Sequence, residues 1–353
     1  MKEKVLGRTG LRVRTLGFGG IPIQRISEED ATNVVRRCYE LGMNYYDTAR
    51  GYSNSEERIG KALEDVREKV FLATKSHQRT SQGIKKEFEI SLTNLRTDYI
   101  DIYQLHNVGN EEQWKQVQAE GGALEAVYEL KEQEKINHIS VTSHSPDLAI
   151  EMIKTGPFAT IMIPYNYLTT KPADELLPLC QKLNVGTIIM KPFGGGAFSN
   201  ANTALKYVFS NPDTDLVIPG VLSVAEVEEN WNVWRGDLSL SQEELELIEK
   251  DKKILGDQFC RSCNYCQPCP QEIPISAILR TETQVLRRMG WNENRVKMVK
   301  MAKEKLDTCT HCDICESRCP YNLPIQELLP NAMESLWNHM ENQTIPNNCT
   351  RAG

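Results

Sequence analysis

The fold class that the sequence predicts is α/β: a (β/α)8 TIM barrel with a small, cysteine-rich α-helical domain C-terminal to it. Three observations predict it. The chain has 353 residues, too many for one average domain but suited to a barrel of about 250 residues plus an appendage. Short β-type runs alternate with longer helical ones upstream of residue 257, which is the rhythm of βα units around a parallel sheet. Eight of the 11 cysteines then fall between positions 260 and 319, so composition shifts near residue 257. The expected boundaries are 1–256 for the barrel, 257–340 for the cysteine-rich domain and 341–353 for a C-terminal tail.

The eight strand-like runs end at Gly20, Asp47, Lys75, His106, Ser143, Asn166, Phe193 and Gly220. Between them lie helix starts and stops, such as Ser27-Glu-Glu-Asp before the run Ala31 to Leu41, which Gly42 ends. An open doubly wound sheet would want a G-x-G-x-x-G turn after its first strand. Leu16-Gly-Phe-Gly-Gly20 lacks that spacing. A last helix over Ser241 to Ile254 leads into the second domain. There Ile278, Leu279, Val285, Leu286, Met289, Val296, Val299 and Met301 recur at helical spacing, which predicts two helices between the cysteine runs. No repeat longer than the βα rhythm and no low-complexity tract is evident.

Composition narrows the function classes. Hydrophobic residues make up 40% and charged residues 25%, close to globular averages, which excludes a mainly disordered or collagen-like chain. Lys+Arg of 41 against Asp+Glu of 48 gives −7, a poor footprint for a nucleic-acid backbone or an anionic membrane. No run approaches 18 apolar residues, and the start MKEKVLGRTG lacks the apolar core of a signal peptide. The expectation is a cytoplasmic protein with no nucleic-acid and no membrane partner.

Cys38, Cys180 and Cys349 are scattered, whereas the other eight form two runs. One reads Cys260-x-x-Cys263-x-x-Cys266-x-x-Cys269-Pro270 and the other Cys309-x-x-Cys312-x-x-Cys315-x-x-x-Cys319-Pro320. Disulfides suit small secreted domains. A tetrahedral zinc site takes two CxxC pairs, and the third and fourth cysteines of each run exceed its need. Iron–sulfur chemistry uses the surplus: three thiolates at steps of three wrap three corners of a cubane, and the cysteine before proline reaches another cluster. The segment resembles the two-cluster bacterial ferredoxin domain, and the second run matches its CxxCxxCxxxCP spacing in full. That resemblance implies a ferredoxin-like domain with two [4Fe-4S] clusters. It also implies one cluster held by Cys260, Cys263, Cys266 and Cys319 and the other by Cys309, Cys312, Cys315 and Cys269. The first run is one residue shorter before its last cysteine, so Cys269 could instead close on its own cluster. The stretch linking the two runs, Ile275 to Asp307, also carries Arg287, Arg288, Arg295, Lys297, Lys300, Lys303 and Lys305. These could dock an acidic electron carrier of the ferredoxin or flavodoxin type, or form a solvated helix face.

In a barrel of this kind the chemistry sits where strands end. Asp47, Lys75 and His106 close the second, third and fourth runs, and Tyr52 follows in the next loop. A phenol titrates near pH 10 in water, so its use as an acid near neutrality needs a nearby cation to favour the phenolate. Lys75 can be that cation, with Asp47 as its counter-charge. A neutral His106 can hydrogen-bond a substrate oxygen. The four make a proton-donating pocket for a carbonyl.

With those residues stand Leu6-Gly-Arg-Thr-Gly-Leu11, Asp47-Thr-Ala-Arg-Gly-Tyr52, Ser55-Glu-Glu-Arg-Ile-Gly60, Ala73-Thr-Lys75, Asp98-Tyr-Ile-Asp-Ile-Tyr-Gln-Leu-His106 and Pro219-Gly220 followed by Glu229-Asn230. As a set they resemble the aldo-keto reductases over residues 1 to about 255. The whole chain resembles members with a C-terminal ferredoxin-like domain. The resemblance implies an NAD(P)H cofactor extended over the strand ends, a small-molecule carbonyl substrate and a catalytic tetrad of Asp47, Tyr52, Lys75 and His106. Ser143 stands where the family holds the carboxamide and Asn230 where it meets adenine. His144 replaces the usual Asn, Met162 the usual Gln and Met190 the usual stacking aromatic. Lys191, in Met190-Lys-Pro-Phe-Gly-Gly-Gly196, could reach the pyrophosphate or a 2′-phosphate, and its glycines allow close backbone approach. Asn166, Phe193, Gly194 and Gly220, at or beside strand ends, complete the expected cofactor set. The loop from Asn107 to Gly122, with Trp114, is expected to line the substrate mouth. Two classes of function follow: an NAD(P)H-linked reductase of a carbonyl, enone or quinone, or a redox-sensing or electron-carrier subunit without steady turnover.

Overall fold

Each of the eight strand-like runs forms a strand in the computed structural model, which describes residues 2–198, 200–256, 258–262, 266–286, 290–319 and 321–344. They are β1 (Phe18–Gly19), β2 (Tyr45–Asp47), β3 (Phe71–Ser76), β4 (Ile100–Leu105), β5 (Ile136–Thr142), β6 (Thr160–Pro164), β7 (Gly186–Met190) and β8 (Leu216–Val217). Each pairs in parallel with the next. Parallel bridges Leu16 to Val217 and Gly19 to Gly220 join the first strand to the last. The Gly17 N–H donates to the Val217 carbonyl at 2.9 Å, so the eight-stranded barrel closes as expected.

The chain divides into two compact units. One holds the chain up to Phe193 and then Asn202–Leu240; the other holds Gly194–Ala201 and the chain from Ser241 onward. In the first unit, helices Glu28–Glu40, Ser55–Leu63, Ser81–Leu95, Ala123–Glu132, Pro146–Thr155, Leu176–Leu183, Ala201–Ser210 and Val224–Arg235 follow β1 to β8 in turn. Ser27, Thr80, Ser145 and Ser223 each accept a backbone N–H three residues on, satisfying a donor that a helix start leaves unpaired. The barrel interior is filled by Tyr45, Ala73, Ile102, Met162, Ile188, Leu216 and Ile218.

The floor of that interior is an element not anticipated from sequence. Glu3–Val5 and Arg12–Arg14 form an antiparallel hairpin that adds Leu6 and Val13 to the interior cluster. Gly7, at φ +51°, lies so close to β7 that a Cβ would meet the Gly186 nitrogen at 2.1 Å. A second departure concerns the expected substrate-mouth loop. It holds a helix, Glu111–Gln118, and Trp114 is 2% exposed with its ring centroid 5.8 Å from that of Phe158. Trp114 is core, because burying so large an apolar ring outweighs any role at the mouth.

The second unit contains Gln242–Leu255, Ile275–Arg280 continued by a π-type segment Thr281–Leu286, then Glu293–Leu306, Ile314–Ser317 and Ile325–Glu341. Two helical segments thus separate the cysteine runs, as the periodicity predicts. Met301, counted in that periodicity, is 57% exposed; the side chain of Val285 and all of Met289, Arg287 and Arg288 lie outside the described residues. Within the core, a repeat overlooked in the sequence becomes plain: Cys269-Pro-x-x-Ile273-Pro274-Ile275 recurs as Cys319-Pro-x-x-Leu323-Pro324-Ile325. The Glu272 N–H donates to the Cys269 carbonyl at 2.9 Å and the Asn322 N–H to that of Cys319 at 3.2 Å. Ile275 N–H reaches Ile273 O at 2.9 Å as Ile325 N–H reaches Leu323 O at 2.8 Å. Pro274 and Pro324 then open the two helices. No helix among the described residues is long and apolar enough to cross a membrane.

Candidate active site and cluster ligands

Side chains on a strand alternate between faces, and this stacks polar residues directly above the apolar interior. Two residues beyond Tyr45, Ala73 and Ile102 of the interior come Asp47, Lys75 and Gln104. All three are buried. The Lys75 ammonium pairs with Asp47 Oδ1 and donates to the Thr48 carbonyl at 2.7 Å, while the Gln104 amide donates to Asp47 Oδ2 at 2.6 Å. Burial pushes the Asp47 carboxyl above the usual range, and the Lys75 ammonium and Gln104 amide oppose that push. Gln104 was not anticipated from sequence; its position two residues before His106, on the same face as Lys75, was the signal available.

Tyr52 comes from the loop after β2, where Tyr52 N–H donates to Ala49 O at 2.9 Å and Ser55 N–H to Tyr52 O at 2.8 Å. Its ring lies under the Lys75 ammonium, 5.0 Å from nitrogen to centroid, and meets the His106 ring edge-on at 5.8 Å and 84°. The structure therefore brings the four expected residues together. The same loop is anchored by Arg50, which pairs with a fully buried Glu56. Thr74 and Ser91 hydroxyls each donate to Glu56 Oε1 at 2.7 Å and the Asn94 amide donates to Oε2 at 3.1 Å, so this buried carboxylate is fully partnered. Burial, and then the charges of Lys75, His77, His144 and Arg79, hold the His106 imidazole well below its usual range. It is therefore neutral at pH 7.

Because Asp47 and Lys75 share one buried pair, Lys75→Met would leave a carboxylate without its counter-ion. Breaking such a pair costs about 3–5 kcal/mol. The denaturant midpoint is expected to fall accordingly, and Asp47→Asn added to the variant should restore part of the loss. An unchanged midpoint in the single variant would show that the pair is not needed for stability.

The residues expected at the cofactor divide by how free they are. Ser143 is fully buried; its hydroxyl donates to Val108 O at 2.8 Å and accepts from Ser145 N–H at 3.1 Å. Asn166 spans β6 and β7, donating to Lys191 O at 3.0 Å while its Oδ1 accepts from Leu168 and Thr169 N–H. Both are committed to local structure. His144 lies near enough to influence His106, Lys191 adopts φ 57°, and Phe193 packs against the outer core. Gly220 pairs with Gly19 across the barrel closure, where a Cβ would meet Pro22 at 2.6 Å. Gly194 belongs to the second unit, and its carbonyl accepts from Arg280 at 3.0 Å. Asn230 is different: it is 2% exposed, and neither its Oδ1 nor its Nδ2 has a hydrogen-bond partner. A buried amide without partners is costly, and a donor–acceptor edge such as a nucleobase offers would satisfy it. Met162 is part of the barrel interior.

The cysteines sort in a way that bears on their pairing. Cys269, Cys309, Cys312 and Cys315 line one cavity, walled by Ile273, Ile275, Ile314 and Leu329. Cys260, Cys266 and Cys319 are instead buried in the core, and the Ser262 N–H donates to Cys260 Sγ at 3.4 Å. Cys263 lies outside the described residues. Cys312 is exposed and the other three cavity cysteines are half-buried. Four cysteines around an apolar-walled cavity are the ligand type a cubane of iron and sulfide takes, although among the described residues no three His, Cys, Asp or Glu side chains converge on a single metal-ion site.

Residues 15–204 match the aldo/keto reductase family and residues 259–324 match a 4Fe-4S dicluster domain. Among curated relatives, an uncharacterized oxidoreductase, YqkF of Bacillus subtilis (strain 168), is 30% identical over 210 residues, 56% of this chain and 66% of the relative. The chain thus spans just under two thirds of that protein. L-galactose dehydrogenase of Arabidopsis thaliana is 26% identical over 64% of this chain and 86% of its own length. Among solved structures, an aldo-keto reductase from Bacillus halodurans in its holo form superposes with a TM-score of 0.62 at 28% identity, over 71% of this chain and 96% of that one. An aldo-keto reductase from Klebsiella pneumoniae, solved in complex with NADPH, shares the fold at 23% identity and a TM-score of 0.61, over 71% and 95% of the two chains.

Proposed function

Because the chain belongs to the aldo/keto reductase family and is an oxidoreductase with a C-terminal 4Fe-4S dicluster domain, we propose that it reduces a small-molecule carbonyl, enone or quinone with NAD(P)H. The observation that carries the reading is the convergence of Tyr52, Lys75, Asp47 and His106 on one point above the barrel interior. When bound, the nicotinamide supplies hydride to the substrate carbon. Tyr52 gives its phenolic proton to the oxygen, and the Lys75 ammonium under its ring favours the phenolate left behind. Asp47, held by Gln104, fixes the ammonium in place. A neutral His106 donates a hydrogen bond to the same oxygen and orients it.

The unpartnered amide of Asn230 would take the adenine, and His144, Lys191, Phe193 and Gly220 would lie along the rest of the cofactor. Ser143 and Asn166 shape that surface through the local bonds they already make. In the C-terminal domain the shared cavity supports the crossed arrangement, in which Cys269 joins Cys309, Cys312 and Cys315, and Cys260, Cys263, Cys266 and Cys319 hold a second cluster. The clusters would store single electrons, whereas hydride carries two. They would therefore serve an outside one-electron carrier of the ferredoxin or flavodoxin type, or the integrity of the domain, and among the described cysteines exposed Cys312 is the thiolate such a carrier could approach.

The test uses anaerobic holoprotein with NADH or NADPH and a panel of aldehydes, ketones and quinones. Coenzyme oxidation is expected only after a carbonyl is added, and coenzyme alone should leave the visible cluster absorbance unchanged while dithionite bleaches it. Failure to oxidise either coenzyme with any member of the panel would refute the reading.

A further inference from the structure

His106 is held firmly at its backbone and loosely at its ring. Its N–H donates to Ser76 O at 2.9 Å, and its carbonyl accepts from Arg79 Nη2 at 2.8 Å. Its Nδ1, however, is buried and has no hydrogen-bond partner. In histidines that act through one nitrogen, the hydrogen bond made by the other normally sets tautomer and ring plane. Here that bond is missing, and a different contact takes its place. The His77 ring lies face to face with that of His106, 3.7 Å between centroids and 10° between planes, on the loop just beyond β3, with Tyr52 meeting His106 edge-on.

We propose that His77 is a positioning residue for His106, its ring serving as the platform that fixes the plane and tautomer of the histidine facing the substrate oxygen. The proposal rests on the carbonyl-reducing site described above. Two points of chemistry support it. A buried Nδ1 without an acceptor does not keep its proton, because an orphaned N–H is costlier than a bare acceptor in the same place. The proton belongs on Nε2, which makes Nε2 the donor. Face-to-face contact at this distance also disfavours protonation of both rings together, since two imidazolium cations would repel. The surrounding groups favour neutral rings: Lys75, His144 and Arg79 act on His106, and Arg79 and Lys75 act on His77, with only Glu87 opposing. The signal in the sequence was a histidine two residues after the strand-end lysine, in Lys75-Ser-His77.

The experiment compares the full-length holoprotein with His77→Ala, which removes the platform, and His77→Phe, which keeps a ring but no nitrogen. His77 is exposed, so both variants should fold. Imidazole ¹⁵N NMR is expected to show His106 as the Nε2–H tautomer in wild type and in His77→Phe, and as a mixture in His77→Ala. In kinetics, His77→Ala should lower kcat by about ten-fold or more with coenzyme Kd unchanged, as a misplaced catalytic group does, and His77→Phe should recover most of that loss. An Nδ1–H tautomer in wild type overturns the proposal, as does His77→Ala with wild-type tautomer and kcat. A loss in His77→Phe as deep as in His77→Ala also overturns it, because His77 would then act through a nitrogen. If wild type reduces no carbonyl, the functional reading falls while the NMR comparison still decides the platform.

Discussion

Tyr52→Phe is expected to lower carbonyl reduction by about 10²-fold or more while coenzyme still binds. The substitution keeps the ring, and with it the contact with the Lys75 ammonium and the edge-on contact with His106, and removes only the proton. The loss should therefore sit in kcat, with coenzyme Kd by fluorescence titration close to wild type. Turnover at the wild-type level in Tyr52→Phe would mean that another group protonates the product oxygen and that the tetrad geometry is inherited without use.

The second large effect concerns metal. Protein purified or reconstituted without oxygen is expected to hold about eight iron and eight sulfide per chain if both quartets build cubanes. Stoichiometric zinc in place of iron would end the reading. In Cys312→Ser the content should fall to about four of each. Thiolate ligation organises segments with little core of their own, so the cysteine-rich region around the cavity should become sensitive to limited proteolysis. The barrel, whose core is separate, should keep its own unfolding transition. A variant that retains eight iron would show that Cys312 is not a ligand.

Much of this architecture was legible because the barrel writes its function at strand ends. Asp47, Lys75 and His106 stand where a short apolar run meets a polar residue, and parallel pairing brings adjacent strand ends side by side whatever the outer helices do. The eight strands were readable for the same reason. What was not legible depends on contacts between distant segments. The N-terminal hairpin has too few residues to announce itself, and its role as a floor exists only once Gly7 meets Gly186. Trp114 looked like a mouth residue because it sits in a long loop, and a short helix turns it inward onto Phe158. Ser143 and Asn166 have the right chemistry for a ligand, yet their hydrogen bonds go to neighbouring backbone. Gln104 and His77 are marked in the sequence only by their spacing from His106 and Lys75, and strand register and a ring stack show what they touch. The internal repeat is short, and the cysteine runs that precede its two halves are spaced differently.

The path of the chain through Gly194–Ala201 has a consequence for how the two parts of the protein can be taken apart. An appended module that can be shed without harm joins its host at one point, but here the polypeptide passes between the units three times: after Phe193, after Ala201 and after Leu240. The short excursion is built into the second unit by Phe198 against Phe259 and by Arg280, which stacks on Phe259 and binds the Gly194 carbonyl. Cutting the gene after Leu240 would leave eight residues of the barrel chain without the aromatic and guanidinium groups that shape them. The C-terminal part is thus interleaved with the barrel chain, and a lineage that discarded it would also have to rebuild the loop after β7.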